Sequence, residues 1–396
     1  MSYPNTRWAQ LRPTAVNAIL AEVRAVQAAG QSVVSLMRGE PDFRTPAHIS
    51  DAASRAIADG RTGYPDNRGE LRLREAVALK LARDNQLTYD PGSEILITTG
   101  ATFGVYASLM ALLIGGDEVL LPDPVYDAYR SPIALAGGRS RPVRASIERT
   151  GQSSRFVLTV DALEEATTSA SRVLLLNSPW NPVGTVLRAS ELEAIADFVI
   201  RRNLTLISDE IYEAIVYDGH QHVSPAALSP ALRERTVLVN SLSKTYAMTG
   251  WRVGYCAAPA ALIETMFLVL QQSSRGPATF IQDGAAVALT SSQACVAEMR
   301  RQYAERRAGV LAALAGLPHV HVLSPEGGFF AMVDVRETGL ASDDIRRRLL
   351  HDAGVAVVHG SAYGEGGEGT LRVSFATGGE TLALGLARLR EGLTGL

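Results

Sequence analysis

Between about residues 94 and 258, short apolar runs rich in Val, Ile and Leu alternate with turns and with segments of helical periodicity. The runs lie near Ile95 to Thr99, Val119 to Leu121, Ser140 to Arg144, Val173 to Leu176, Leu204 to Ser208, Val237 to Asn240 and Val253 to Ala257. As continuous runs without polar alternation they read as strands covered on both faces, as in a mostly parallel sheet between helix layers. The pattern then changes. A long helical stretch is expected from about Asp283 to Leu314, followed by short strands at His319 to Leu323 and Gly328 to Val335 and by more strand and helix. Near the other end, an amphipathic stretch from Thr14 to Ala29 starts soon after Pro13 and stops at Gly30, as a capped helix does; it is expected to pack on the smaller domain. The expected fold class is α/β: a large domain over 46–282 with a mostly parallel seven-stranded sheet between helix layers, and a smaller α+β domain built from both chain ends, 1–45 and 283–396.

Two domains also suit the length, since 396 residues exceed the usual size of one hydrophobic core. With 46% apolar and 20% charged residues the chain has enough apolar surface for packed interiors. A net charge of -3 gives no long-range attraction to nucleic acid or anionic lipid. The start, Met1-Ser2-Tyr3-Pro4-Asn5, lacks a signal-peptide pattern, and the apolar stretches Leu109 to Ile114 and Met266 to Leu270 are too short for a bilayer, so a cytoplasmic location is expected. Cys256 and Cys295 have neither CxxC spacing nor clustered His, so no disulfide or metal site is expected. Gly364, Gly366 and Gly369 spell G-x-G-x-x-G, but Leu371 to Phe375 reads as a strand where a dinucleotide site needs a helix, and Glu365 and Glu368 would repel a phosphate. A flexible loop is expected there.

The densest chemical signal is Ser241-Leu242-Ser243-Lys244 followed by Thr249-Gly250-Trp251-Arg252, at the end of an apolar strand, where α/β sheets place their ligands. A lysine beside hydroxyls and a second cation can have a lowered pKa and attack a carbonyl, while Arg and Ser suit a phosphate dianion. Gly100-Ala101-Thr102 lies where a strand gives way to a helix, so free amides and a hydroxyl can hold phosphate at the positive end of the helix dipole. Arg372, inside the apolar run Leu371 to Phe375, needs an anion to be buried.

The lysine block resembles the signature of the class I/II aminotransferases, the fold-type I pyridoxal-phosphate enzymes that include aspartate and aromatic aminotransferases. The resemblance runs along nearly the whole chain in the family's order: Gly39-Glu40-Pro41-Asp42-Phe43, Tyr64 with Gly69, Pro124-Val125-Tyr126, Asn177 to Gly184, Ser208-Asp209-Glu210-Ile211-Tyr212, Gly327-Gly328-Phe329 and Leu371 to Phe375. It implies that Lys244 holds pyridoxal 5'-phosphate as a Schiff base in a ping-pong transfer of an amino group from an L-amino acid to a 2-oxo acid. By the same resemblance Asp209 bonds the pyridine nitrogen, Tyr212 and Asn181 bond the phenolic oxygen, and Tyr126 stacks on the ring. Ala101, Thr102, Ser241, Ser243 and Arg252 grip the phosphate, joined by Tyr64 from a neighbouring subunit, so a homodimer is implied. Asn181-Pro182 is implied to be cis. Arg372, with Asn181 and the Gly39 backbone, is the implied clamp on the substrate α-carboxylate.

Substrate choice is less legible. Aspartate-type relatives carry a lysine at the position of Thr102, or an arginine near that of Gln271, to read a distal carboxylate; both are missing. Arg38 departs from the small or apolar residue expected there and either replaces that cation or points outward. Arg275 lies near the edge of the site to which the neighbouring subunit contributes. His359 departs from the proline more usual before Gly360 in relatives, and Trp180 puts a large aromatic next to Asn181; each is either a pocket-shaping or a packing residue. A carbon-sulfur or other amino-acid lyase uses the same cofactor and lysine. A non-catalytic effector-binding module is disfavoured, because the aminotransferase pattern begins within the first forty residues and leaves no room for a DNA-binding domain.

Overall fold

The computed structural model describes residues 11, 14–150 and 153–396. The expected start of the smaller domain, residues 1–10, 12 and 13, lies outside them.

All seven apolar runs form strands of one sheet: β1 (Ile95–Thr98), β2 (Glu118–Asp123), β3 (Arg139–Arg144), β4 (Ser171–Asn177), β5 (Thr205–Asp209), β6 (Thr236–Ser241) and β7 (Gly254–Ala257). Their order is β1-β7-β6-β5-β4-β2-β3, and β7 alone runs antiparallel to its neighbours. Burial follows position: every residue of β1, β6 and β7 is buried, whereas the edge strand β3 buries only Val143 and exposes Arg139, Arg141 and Arg144. The expectation of two covered faces therefore fails for β3, whose arginines keep the edge in water.

A second, antiparallel sheet follows, with β8 (His321–Leu323), β9 (Phe330–Asp334), β10 (Val358–His359) and β11 (Thr370–Ser374) in the order β8-β9-β11-β10. The N-terminal helix α1 (Ala15–Ala28) is capped by Thr14, whose hydroxyl accepts from the Asn17 amide at 3.4 Å. Its Ile19, Val23 and Val26, one helical stripe, pack with Leu350, Ala356 and Val358, so this helix sits on the C-terminal part of the chain as expected.

The stretch Asp283 to Leu314 is two helices, Thr279–Thr290 and Ala294–Leu314, with Ser291, Ser292 and Gln293 between them. Ala285, Ala286, Ala288 and Leu289 of the first pack with Ile49, Leu73 and Ile97 beside the seven-stranded sheet, while Tyr303, Val310 and Leu314 of the second pack with Phe329, Val333 and Leu371 of the antiparallel one. Polar residues that favour turns interrupt a periodicity that is otherwise continuous. The glycine loop is also not free: a Cβ on Gly364 would lie 1.7 Å from Asp123 Oδ1 and one on Gly366 2.4 Å from the Asp123 carbonyl oxygen. These glycines let two short 3-10 turns press against the end of β2, and β11 follows as a strand. Among the described residues no helix is long and apolar enough to cross a membrane.

Candidate active site

Parallel strands direct their C-terminal ends, and the free groups of the turns that follow, to one edge of a sheet. Here that edge lines a cavity of about 1050 Å³. Ala101 and Thr102 come from the first turn of the helix after β1, Tyr126 from the turn after β2, Asn181 from that after β4, Asp209 from the end of β5 and Tyr212 from the turn after it; Ser241 ends β6, and Ser243, Lys244 and Arg252 come from the β6–β7 connection. Arg372 of β11 and Arg38 with Gly39 close the opposite side. Every residue given a catalytic, cofactor or substrate-binding role lines this one cavity except Tyr64, which is 84% exposed and stacks under the Arg275 guanidinium at 4.7 Å; Gln271, Arg275, Trp180 and His359 lie outside it.

The phosphate-shaped corner follows from backbone geometry. Helix α2 (Gly100–Leu112) starts at Gly100 with φ 78, and a Cβ there would lie 2.5 Å from Arg252 Nη2, so glycine admits the guanidinium. On the other side, a Cβ on Gly254 of β7 would come within 2.8 Å of the Ala101 nitrogen. Two glycines thus seat the helix N-terminus, with its unpaired amides and partial positive charge, against Arg252. Ser241 caps the short helix α3 (Leu242–Thr245), accepting from the Ser243 amide at 3.1 Å. That turn projects Lys244.

Lys244 Nζ donates to the Gly39 carbonyl at 2.6 Å. Burial, reinforced by the Arg252 and Arg372 charges and opposed by Glu40 and Asp209, lowers its pKa to about 8. Asp209 is buried and receives the Tyr129 hydroxyl at 2.6 Å and the Ile211 amide at 3.2 Å. Burial outweighs these bonds and raises its pKa to about 6. Tyr212, packed edge-on against Phe329 at 5.5 Å, has its hydroxyl pKa pushed up by burial. Tyr126 meets Tyr129 edge-on at 5.4 Å.

Arg372 is 3% exposed and, among the described residues, has no carboxylate partner. Its guanidinium lies between the rings of Phe330 at 4.2 Å and Tyr363 at 5.0 Å, bonds the Met37 carbonyl at 3.1 Å and Asn181 Oδ1 at 3.4 Å, and leaves Nε unpaired. A buried cation without an anionic partner is suited to receive a carboxylate. The bond Asn181-Pro182 is cis, as are Asp123-Pro124 and Ser178-Pro179.

Arg38, by contrast, is exposed and bonds Glu40 at 3.4 Å and the Pro41 carbonyl at 3.3 Å. Gln271 is exposed and outside the cavity lining. Trp180 is a packing residue: buried, outside the lining, its indole nitrogen donates to the Pro124 carbonyl at 3.0 Å. His359 bonds Ser361 at 2.8 Å and is likewise outside the lining. Sequence reasoning missed Tyr129 and Asp127, which line the cavity three residues and one residue after Tyr126. The short turn Asp127–Tyr129 puts Tyr129 within reach of Asp209. Its spacing from Tyr126 was the only available signal.

The donor set fits pyridoxal 5'-phosphate: a helix N-terminus with two serines and an arginine for the phosphate, a poised amine for the aldehyde, and a buried carboxylate for the ring nitrogen. The comparisons agree. Residues 31–388 match the family model for aminotransferase class I and II. The chain is 42% identical over 370 residues to an aspartate aminotransferase of Pyrococcus abyssi, covering 92% of this chain and 93% of the relative. It is 41% identical over 365 residues to an aromatic-amino-acid aminotransferase of Thermococcus litoralis, covering 91% and 92%. The crystal structure of the aspartate aminotransferase from Rhizobium meliloti superposes with a TM-score of 0.93 at 35% identity, covering 99% of each chain. With site geometry, full-length similarity and fold in agreement, the chain belongs to the class I and II aminotransferases, enzymes that use pyridoxal 5'-phosphate.

Proposed function

We propose that the cavity residues divide the work of amino transfer as follows. When bound, the cofactor supplies an aldehyde for amino groups and a ring that withdraws the electrons left behind by a departing Cα proton. Lys244 Nζ takes that proton and returns one, a role its lowered pKa suits near neutral pH. Asp209 keeps the ring nitrogen protonated and so supplies the charge its own burial penalises. Tyr212 and Asn181 hold the phenolic oxygen, and Tyr126 packs on the ring. Ala101, Thr102, Ser241, Ser243 and Arg252 hold the phosphate. The substrate α-carboxylate goes to Arg372, assisted by Asn181 and the Gly39 backbone.

A second copy of the chain completes the site through Tyr64, whose exposure on a single copy suits a role across an interface. The working protein is thus a cytoplasmic homodimer acting on amino acids and 2-oxo acids, divided into a large domain (46–282) and a small one (1–45 and 283–396), with helix Thr279–Thr290 running through the division. Arg38, at the cavity mouth, meets the distal end of the substrate.

The buried, ring-stacked Arg372, without a carboxylate partner among the described residues and lining the same cavity as Lys244, carries this reading, because an amine for an aldehyde together with a receptor for a carboxylate matches an amino acid. Adding amino acids one at a time to the reconstituted protein tests it. The cofactor absorbance is expected to bleach, with a 2-oxo acid as product, and to recover on adding a second 2-oxo acid. A protein that stays colourless with the cofactor, and onto which borohydride fixes no vitamin B6 derivative, overturns the reading.

A further inference from the structure

Behind the lysine, on the face of β5 and β6 away from the large cavity, lies a buried polar cluster that the chemistry above does not use. Lys80, from helix Leu71–Asn85, forms an ion pair with Glu213 in which the two side chains are 7% and 10% exposed. Asn85 joins both: its Oδ1 accepts from Lys80 Nζ at 2.7 Å and its Nδ2 donates to Glu213 Oε2 at 2.8 Å. One link from the cluster leads to the serines of the site. Asn240, 2% exposed in β6, donates through Nδ2 to Glu213 Oε1 at 2.7 Å, and its Oδ1 accepts the Ser241 amide at 2.7 Å.

The direction of that relay is chemically fixed. An ionised carboxylate only accepts hydrogen bonds, so Glu213 forces the NH2 end of Asn240 toward itself and the carbonyl end toward the Ser241 amide. The Lys80 charge holds Glu213 ionised, keeping its pKa below the usual carboxylate range despite the opposing cost of burial. Ser241, so held, is extended at φ -154 and ψ 163, the conformation from which its hydroxyl caps the Ser243 amide. An unpaired Ser241 amide would leave this strand-to-helix junction free to relax.

We infer that Glu213, acting through Asn240, is a positioning residue that sets the Ser241 and Ser243 hydroxyls for the cofactor phosphate. The inference rests on the proposed role of those serines. The test uses the full chain stripped of cofactor and titrated separately with pyridoxal 5'-phosphate and with pyridoxal, which lacks the phosphate, in the Asn240→Ala variant. That substitution leaves the Lys80–Glu213 pair in place.

The expected result is about tenfold weaker binding of the phosphorylated form, the size of one lost hydrogen bond, with pyridoxal binding changed less than threefold. Equal weakening of both, together with a lower melting temperature, means a purely structural role and overturns the inference; so does no change in either. If Asn240→Ala does not accumulate as folded protein, the same ratio in Asn240→Ser decides. Ser241→Ala and Ser243→Ala separate the two levels. If they leave phosphate discrimination intact, the phosphate reading itself fails; if they abolish it while Asn240→Ala does not, only the positioning role fails.

Discussion

The two walls of the cavity are built on different principles. The wall proposed to receive the cofactor holds buried residues at the ends of adjacent strands, Asp209, Ser241 and Ser243, each fixed by a backbone or side-chain hydrogen bond, beside the exposed Thr102 and Arg252. The facing wall has Arg38, Gly39 and Glu40, which are exposed, and Thr377 and Thr381 beyond the end of β11. Arg372 is the exception on that side, buried and stacked. Burial within the first wall shifts the pKa values of Lys244 and Asp209 and so tunes the chemistry, while a solvated wall of adjustable side chains selects what the chemistry acts on. Damage to the first wall should cost activity on every substrate. Damage to the second should change the ratio between substrates.

The largest effect is expected from Lys244→Ala, since among the described residues it is the only lysine lining the cavity. Turnover should fall by on the order of 10⁴ or more and borohydride should no longer fix the cofactor to the chain. Normal turnover in this variant removes Lys244 from the mechanism. Next comes Arg372→Lys, which keeps a cation but not the planar fork between Phe330 and Tyr363. A loss of roughly 10² to 10³ in kcat/KM is expected, shared by all amino acids because each presents the same α-carboxylate. Loss confined to one substrate class would move Arg372 to the selective wall and break the comparison.

A third test sharpens it through pH. With a pKa of about 8, about one tenth of the Lys244 amine is neutral at pH 7, against about one in three thousand at the ordinary value of 10.5. Only the neutral amine attacks an aldehyde. Capture of pyridoxal 5'-phosphate by the stripped protein should therefore accelerate as pH rises and level off above about 8. A midpoint near 10 instead would show that burial does not tune this lysine.

The same division decides what the sequence reveals. The first wall is legible because each strand end carries its residues in one short run, as in Ser241 to Lys244 or Asp209 to Tyr212, so linear spacing reports spatial proximity. All seven strands were legible for a related reason: buried strands are continuous apolar runs, and even the exposed edge β3 followed the alternation of elements. What linear reading missed depends on distant contacts. Tyr129 matters only because a turn after β2 faces the end of β5. The break at Ser291 interrupts a helical period with no Pro or Gly to mark it, and the tight packing of Gly364 and Gly366 depends on Asp123, more than two hundred residues away. Trp180 and His359, expected as pocket-shaping or as packing residues, lie outside the cavity lining.

Arg38 supplies the smallest expected effect and the most discriminating one. Its ion pair with Glu40 joins two exposed side chains at 3.4 Å, an arrangement worth little in water, so a substrate carboxylate can exchange with Glu40 at small cost. The same solvation limits the gain. Arg38→Ala is therefore expected to lower kcat/KM for aspartate and glutamate by only about tenfold and to leave phenylalanine within twofold. The Lys244 and Arg372 variants lose ground on all three. Equal losses on aspartate, glutamate and phenylalanine in Arg38→Ala would refute a distal-group role and make this arginine part of the common machinery, because a group that meets only the substrate's far end cannot slow an amino acid that has no acceptor there.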